Sequence, residues 1–213
     1  MRSQPTAEPP SDEQLASRAQ QGCSASFEEL VRRYQVPLLH FLQRRTAAAD
    51  AEDLVQDTFV RAYEKLHQYR AGCRFPAWLF TIAHRLSVNR QRRRRPTADS
   101  EAVEAARDEA PAPPQLAAEK ESRQRLWDLA AKVLSEPQVT AMWLFYVEEM
   151  SVQEIARVQS RTRVGVKTML FRARKKLLPL LQKQESETPD TADCRQQRLG
   201  ASSCRTAAEV NHG

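Results

Sequence analysis

Along this chain a serine repeatedly stands three positions before a glutamine or glutamate, as at Ser11 with Gln14, Ser26 with Glu29, Ser135 with Gln138 and Ser151 with Glu154. That is the spacing of a capping box, in which each side chain satisfies a backbone N–H at a helix start. Behind Ser26 run Phe27, Leu30, Val31, Tyr34, Leu38, Phe41 and Leu42, and behind Ser135 run Val139, Met142, Trp143, Phe145 and Tyr146. Both stripes step by three and four, the period of a helix with one buried side. Only five glycines occur in 213 residues, too few for a turn-dense β fold or a glycine-rich phosphate loop. The expected class is all-α: two small helical domains joined by a flexible acidic linker, the second containing a helix-turn-helix. Pro37 lies inside the first stripe and is expected to bend it or break it in two.

A further helix is expected to open near Asp50, with Asp50, Glu52 and Asp53 complementing its positive end and Leu54, Val55, Thr58, Phe59, Ala62 and Leu66 forming its buried side. The stretch FPAWLFTIAHRLSVNRQRRRR from Phe75 to Arg95 then places Pro76 in a first turn. Trp78, Leu79, Ile82, Ala83 and Leu86 recur at core spacing, and the segment ends in an arginine run. Trp78 and Phe80 are two apart, so at least one of them is expected to leave that core stripe. The resulting organisation is a disordered lead over 1–10, a helical domain over 11–95, an acidic proline-bearing linker over 96–115, a helix-turn-helix domain over 116–183 and a disordered tail over 184–213.

The formal net charge is +6 and the positive residues cluster, which favours a polyanionic partner, nucleic acid first and an anionic membrane second. Cys23, Cys73, Cys194 and Cys204 form no CxxC pair, and neither HExxH nor a nucleotide-binding GxGxxG appears. No metal, no cofactor and no catalytic constellation is expected, so the chain is not read as an enzyme. The first residues lack the apolar core of a secretory signal, and no apolar run reaches the roughly 18 residues that span a bilayer. A cytoplasmic protein without membrane insertion is the expectation.

In the second domain SVQEIARV, a turn of about four residues and a longer basic helix capped by Thr162 have the form of a helix-turn-helix. Val166, Leu170, Ala173, Leu177 and Leu181 share one face and should bury. The other side offers Val164, Thr168 and Lys175 flanked by Lys167 and Arg172, with Arg161 and Arg163 at the amino end that a recognition helix points into the major groove. Seven basic residues and no acidic one lie between Ser160 and Lys176, where an ordinary surface helix mixes signs. In the first domain Tyr69, Phe75, Trp78 and Phe80 flank the arginine helix, a juxtaposition that suits unstacked bases, although such rings also serve as core. AEDLVQDTF cannot favour DNA, because Glu52, Asp53 and Asp57 would face phosphates; it reads as a protein-docking surface.

Taken in order, AEDLVQDTFVRAYEKL, FPAWLFTIAHRLSVNRQRRRR and SVQEIARV followed by VKTMLFRARKKL resemble the extracytoplasmic-function class of bacterial sigma factors over roughly residues 12–182. The resemblance implies that Asp53, Gln56, Asp57 and Arg61 dock the coiled coil of the largest subunit of core RNA polymerase. It implies that Tyr69, Phe75, Trp78, His84, Arg85, Asn89, Arg92 and Arg93 read and open the minus-10 promoter element, holding the melted non-template strand. Thr162, Arg163, Val164, Lys167, Thr168, Arg172 and Lys175 would read the minus-35 element as duplex, and an anti-sigma factor is a candidate further partner. Family members commonly carry an Arg-Asn pair where His84 and Arg85 stand, an aspartate at Asn89, a Leu-Gly step and an apolar residue across Gln159, Ser160 and Arg161, and a threonine at Gly165. The competing expectation is a helix-turn-helix regulator that acts without being a polymerase subunit, its first domain serving dimerisation.

Overall fold

A computed structural model describes residues 9–70, 72–94 and 114–187, and side chains over 9–70, 72–93 and 124–182. The described residues form eight α-helices and one short 3-10 turn, with no strand among them. They are α1 (Asp12–Gln20), α2 (Ser24–Gln43), α3 (Ala48–Glu64), a 3-10 turn (Leu66–Gln68), α4 (Phe75–Arg94), α5 (Pro114–Val133), α6 (Glu136–Tyr146), α7 (Val152–Val158) and α8 (Arg163–Glu187). Residues 1–8, 96–113 and 188–213, which hold most of the expected lead, linker and tail together with Cys194 and Cys204, lie outside the described residues.

Three of the four capping boxes form, at Ser11, Ser135 and Ser151. The fourth does not. α2 begins two residues before Ser26, with Cys23 as its N-cap, and the Glu29 carboxylate instead takes Arg32 and Arg33 as salt-bridge partners at 2.6 and 2.8 Å. The earlier start follows from the turn before it. Gly22, at φ +95°, ends α1 in a Schellman motif, with Gly22 N–H donating to Ala19 O and Cys23 N–H to Arg18 O. Pro37 does not break α2, which runs unbroken to Gln43 with Leu38, Phe41 and Leu42 buried beyond the proline. Burial of that last segment opposes the ladder bond the proline removes.

α4 is the hub of the first unit, packing on α1, α2 and α3 and also on α7 of the second. Its apolar residues therefore face several directions. Phe75, Ala77, Leu79, Phe80 and Ala83 are all buried, and Trp78 is half-buried. α1 fixes the start of this helix, since Glu13 accepts the Phe75 backbone N–H at 3.3 Å and places a carboxylate at the positive helix end. The Gln20 amide donates to Leu66 O at 2.7 Å and Tyr69 O at 2.9 Å, holding the segment that leads into α4.

In the second unit α6 and α7 pack on α8, burying Val166, Leu170, Ala173 and Leu177 on the single face that the spacing predicts. The turn between α7 and α8 forms without glycine. Ser160, at φ +52°, takes the left-handed position of a Schellman motif, with Ser160 N–H donating to Arg157 O and Arg161 N–H to Ala156 O. A side chain in that region costs about 1 kcal/mol. Ser160→Gly should therefore stabilise the chain by about 1 kcal/mol, read as a higher midpoint in urea or heat; a lower midpoint would contradict this account of the turn. The neighbouring departure also has a local reason. Gly165 N–H donates to Thr162 Oγ1 at 3.1 Å, and a Cβ on Gly165 would stand 3.1 Å from that oxygen, so glycine's poor helix propensity is offset by an undisturbed cap.

Candidate nucleic-acid and protein interfaces

Three surfaces carry the expected site residues. On α3, Asp53, Gln56, Asp57 and Arg61 are exposed together, alongside exposed Val60 and Tyr63. Asp50 does more than complement the helix end: it is buried and accepts from Arg90 Nη2 of α4 at 2.9 Å, and Asp53 accepts from the same nitrogen at 3.3 Å. Arg90 is thereby committed to holding α3 against α4.

On α4, Arg85, Asn89, Arg92 and Arg93 are exposed at spacings of four, three and one, so they share one side of the helix. The aromatic part of this set behaves differently. Tyr69 and Phe75 are buried, at 5% and 1% exposure, and pack with Trp78 at centroid separations of 5.4 to 5.8 Å. Tyr69 OH donates to Cys73 O at 2.6 Å, and burial, with Glu13 adding to it, pushes its hydroxyl up to about 12. In this conformation Tyr69 and Phe75 are core rings that build the wall behind Trp78, and they offer no free face to a base. The sequence left these rings open between core and reader, because periodicity does not show that α1 and the preceding loop cover them.

His84 is half-buried, and its pKa is lowered to about 4 by burial and by the charges of Arg45, Arg85 and Arg161. The ring is thus neutral at pH 7, whereas an unfolded histidine titrates near 6.5. A depressed histidine contributes stability that is present above pH 6.5 and is lost as pH falls toward 4. Acidification across that window should destabilise the chain by roughly 2 kcal/mol at this site. His84→Leu should flatten the dependence of unfolding free energy on pH there, and an unchanged slope would remove His84 from the cause.

On α8, Thr162, Arg163, Val164, Lys167, Thr168, Arg172 and Lys175 are all exposed, opposite the buried face. Phe171, 65% exposed, lies among them and was not singled out by the sequence pattern. Arg174 belongs elsewhere: its Nε donates to Tyr146 OH at 2.6 Å and its guanidinium lies over Phe145 and Tyr146.

The two units also pack against each other. Arg45, at the end of α2, pairs with Glu136 and Thr140 of α6. Arg44 lies over Trp143 at 4.5 Å and Trp127 at 5.2 Å. Arg157 of α7 donates to Cys73 Sγ at 3.2 Å, and Arg74 donates to Glu149 O at 3.3 Å. α7, the first helix of the helix-turn-helix, thus rests on the basic helix α4. No motif announced this contact. No group of three or more potential metal ligands and no helix long and apolar enough to cross a membrane occurs among the described residues.

Comparison with known proteins adds to this geometry. The family described as Sigma-70 region 2 matches residues 30–97, and Sigma-70, region 4 matches residues 124–177. An ECF RNA polymerase sigma-E factor of Salmonella typhimurium (strain 14028s / SGSC 2262) is 31% identical over 186 residues, spanning 81% of this chain and 97% of its own. The protein of the same name from Haemophilus influenzae (strain ATCC 51907 / DSM 11121 / KW20 / Rd) is 32% identical over 191 residues, spanning 82% and 100%. Among solved structures, CnrH in complex with the cytosolic domain of CnrY superposes with a TM-score of 0.58 at 26% identity, covering 81% of this chain and 97% of that one.

Proposed function

The chain belongs to the extracytoplasmic-function class of the sigma-70 family, and from that premise we propose how its surfaces divide the work of a promoter-selecting RNA polymerase subunit. It is a polymerase-binding sigma factor, and members of the family are initiation factors rather than enzymes. The exposed face of α3, with Asp53, Gln56, Asp57 and Arg61, is assigned to the coiled coil of the polymerase largest subunit. The α4 face, with Arg85, Asn89, Arg92 and Arg93, is assigned to the minus-10 element, Trp78 lying at its aromatic end. Tyr69, Phe75 and His84 then act from behind that surface, shaping it rather than touching bases in this conformation. The exposed side of α8 is assigned to the minus-35 element, where lysine and arginine meeting phosphate set affinity and the few side chains reaching base edges set sequence preference. Residues 11–95 and 116–183 are the two working domains in this reading, 96–115 the tether, and the cytoplasm the site of action. CnrH is solved with the cytosolic domain of CnrY, and a protein inhibitor of the anti-sigma kind is the further partner class we assign.

The observation that carries this reading is the presence on one chain of an exposed acidic face on α3 beside two separate basic faces on α4 and α8. A regulator using only the helix-turn-helix has no need of the first two. Binding to core RNA polymerase tests the difference: the sigma reading expects a stoichiometric complex, and absence of binding favours the free-standing regulator. Contact with DNA phosphate on α8 is tested separately by Lys167→Ala, which should weaken DNA binding across sequences and reduce the salt slope by about one. An unchanged slope would take Lys167 out of the phosphate contacts.

Geometry adds a requirement. The minus-10 and minus-35 elements are about 25 base pairs apart, or about 85 Å along B-DNA. Arg157 of α7 and Cys73 beside α4 are in contact. The packed pair can therefore engage one element at a time, and the two units must separate before both are read.

A further inference from the structure

The α4 face assigned to the minus-10 element has a further cation at its amino end. Arg74 opens the first turn of α4, its carbonyl accepting the Trp78 N–H at 3.3 Å. It stands four positions ahead of Trp78, which is followed at steps of seven, four and three by Arg85, Asn89 and Arg92. On a helix those steps keep the whole row on one side. The motifs single out Trp78, Arg85, Asn89 and Arg92 and pass over Arg74. Its side chain is 52% exposed and is held by the second unit: Nη1 donates to Glu149 O at 3.3 Å and lies 3.9 Å from a Glu154 carboxylate oxygen. Both contacts are weak, the first being long for an N–H···O bond and the second a distant ion pair open to water. A cleft of about 660 Å³ runs between the units at this point, with Gly72, Cys73, Arg74, Glu149, Ser151 and Arg157 in its wall. The guanidinium is therefore reachable from solvent.

We propose that Arg74 is a further strand-contacting residue of the minus-10 face, and that Glu149 and Glu154 of the second unit compete with the strand for it. The proposal rests on the assignment of the α4 face to the minus-10 element. Arg74 continues the row that Arg85, Asn89 and Arg92 define, on the far side of Trp78. A guanidinium grips phosphate oxygens through paired charge-assisted bonds, a stronger arrangement than one carbonyl and a distant carboxylate offer. A phosphate on that guanidinium is also a close neighbour of the Glu154 carboxylate, and like charges oppose holding both at once. Strand binding therefore loosens a contact that ties α7 to α4, and by linkage a looser tie strengthens strand binding. Reading both promoter elements requires the units to part, and in this way the strand contributes to parting them.

Binding of the full chain to a labelled single-stranded DNA oligonucleotide of mixed sequence, followed by fluorescence anisotropy over a range of salt, tests the proposal. Arg74→Ala should weaken binding and lower the slope of log affinity against log salt by about 0.7, one phosphate contact on a single strand. Arg74→Lys keeps the charge and should keep the slope. If Arg74 only ties the units together, Arg74→Ala frees the face and binding stays the same or tightens, which overturns the proposal. The competition is tested by Glu154→Gln, which preserves the α7 capping box because glutamine serves the same capping position. It should tighten strand binding by up to about fivefold, the scale of an ion pair open to water, and the gain should vanish in the Arg74→Ala background. No gain in Glu154→Gln, a gain that persists without Arg74, or no strand binding by either the parent chain or Glu154→Gln overturns it. The measurement contains no polymerase. Its failure leaves chain-dependent transcription untouched, and failure to bind polymerase leaves the Arg74 result standing.

Discussion

Replacing Asp57 by arginine should lower affinity for core RNA polymerase by about two orders of magnitude or more while leaving DNA binding by the second unit intact. Asp57 is exposed on α3, in line with Asp53 and Gln56 and one turn from Arg61. Among the described residues it has no ion-pair partner, in contrast to Asp50 and Asp53, which are engaged by Arg90. Reversal there should not disturb the fold, since substitutions on an exposed helix face away from such features usually change stability by less than about 0.5 kcal/mol. At an interface the same change is severe. It removes an attraction and places like charges together, a combination that costs several kcal/mol. Titration of labelled chain with core polymerase measures the loss, and circular dichroism checks that the helices remain. Unchanged affinity would move the docking surface off this face of α3.

The second large effect concerns the contact between the units. Arg45→Glu should make the two units part while each keeps its own helices. Arg45 is almost wholly buried and paired with Glu136; glutamate in its place faces a like charge and loses the Ser87 and Thr140 contacts. The Glu136 side chain is 45% exposed, so water screens part of the pair. Reversal at Arg45 still replaces an attraction with a repulsion and puts an unpaired charge in a buried position, which weakens the contact between the units. Small-angle scattering should show a larger radius of gyration. Hydrogen exchange should quicken where α4 meets α7, with α8 protection against α6 preserved. A radius identical to that of the parent chain would mean that Arg45 does not hold the units together. If separation precedes promoter reading, the same variant should bind core polymerase at least as tightly as the parent, because part of the opening has been done in advance.

Much of this architecture was legible because amphipathic period reports which side of a helix is dry. α8 is the clearest case: Val166, Leu170, Ala173 and Leu177 are buried, and the residues assigned to DNA stand on the opposite side. α4 was legible only in part. Its period suggests one buried stripe, whereas contact with α1, α2, α3 and α7 buries Phe80 as well and draws Phe75 into the core. Period says which face is covered but not by what, and so neither the Arg45–Glu136 pair nor the Arg157–Cys73 contact could be read from spacing. The serine spacing at Ser26 misled for a related reason: a glycine turn just upstream sets where α2 begins, and Glu29 finds arginines one turn ahead. At Ser160 the missing glycine was visible in the sequence, but the motif forms regardless, with serine in the left-handed position, because the Arg157 and Ala156 carbonyls still receive their closing N–H bonds.

Run-off transcription with purified core polymerase tests the central claim most directly. On a template carrying both promoter elements selected from the parent genome, the account predicts a transcript that depends on this chain, falls when either element is scrambled, and disappears with Asp57→Arg. Core polymerase that gives the same transcripts with and without the chain would contradict it.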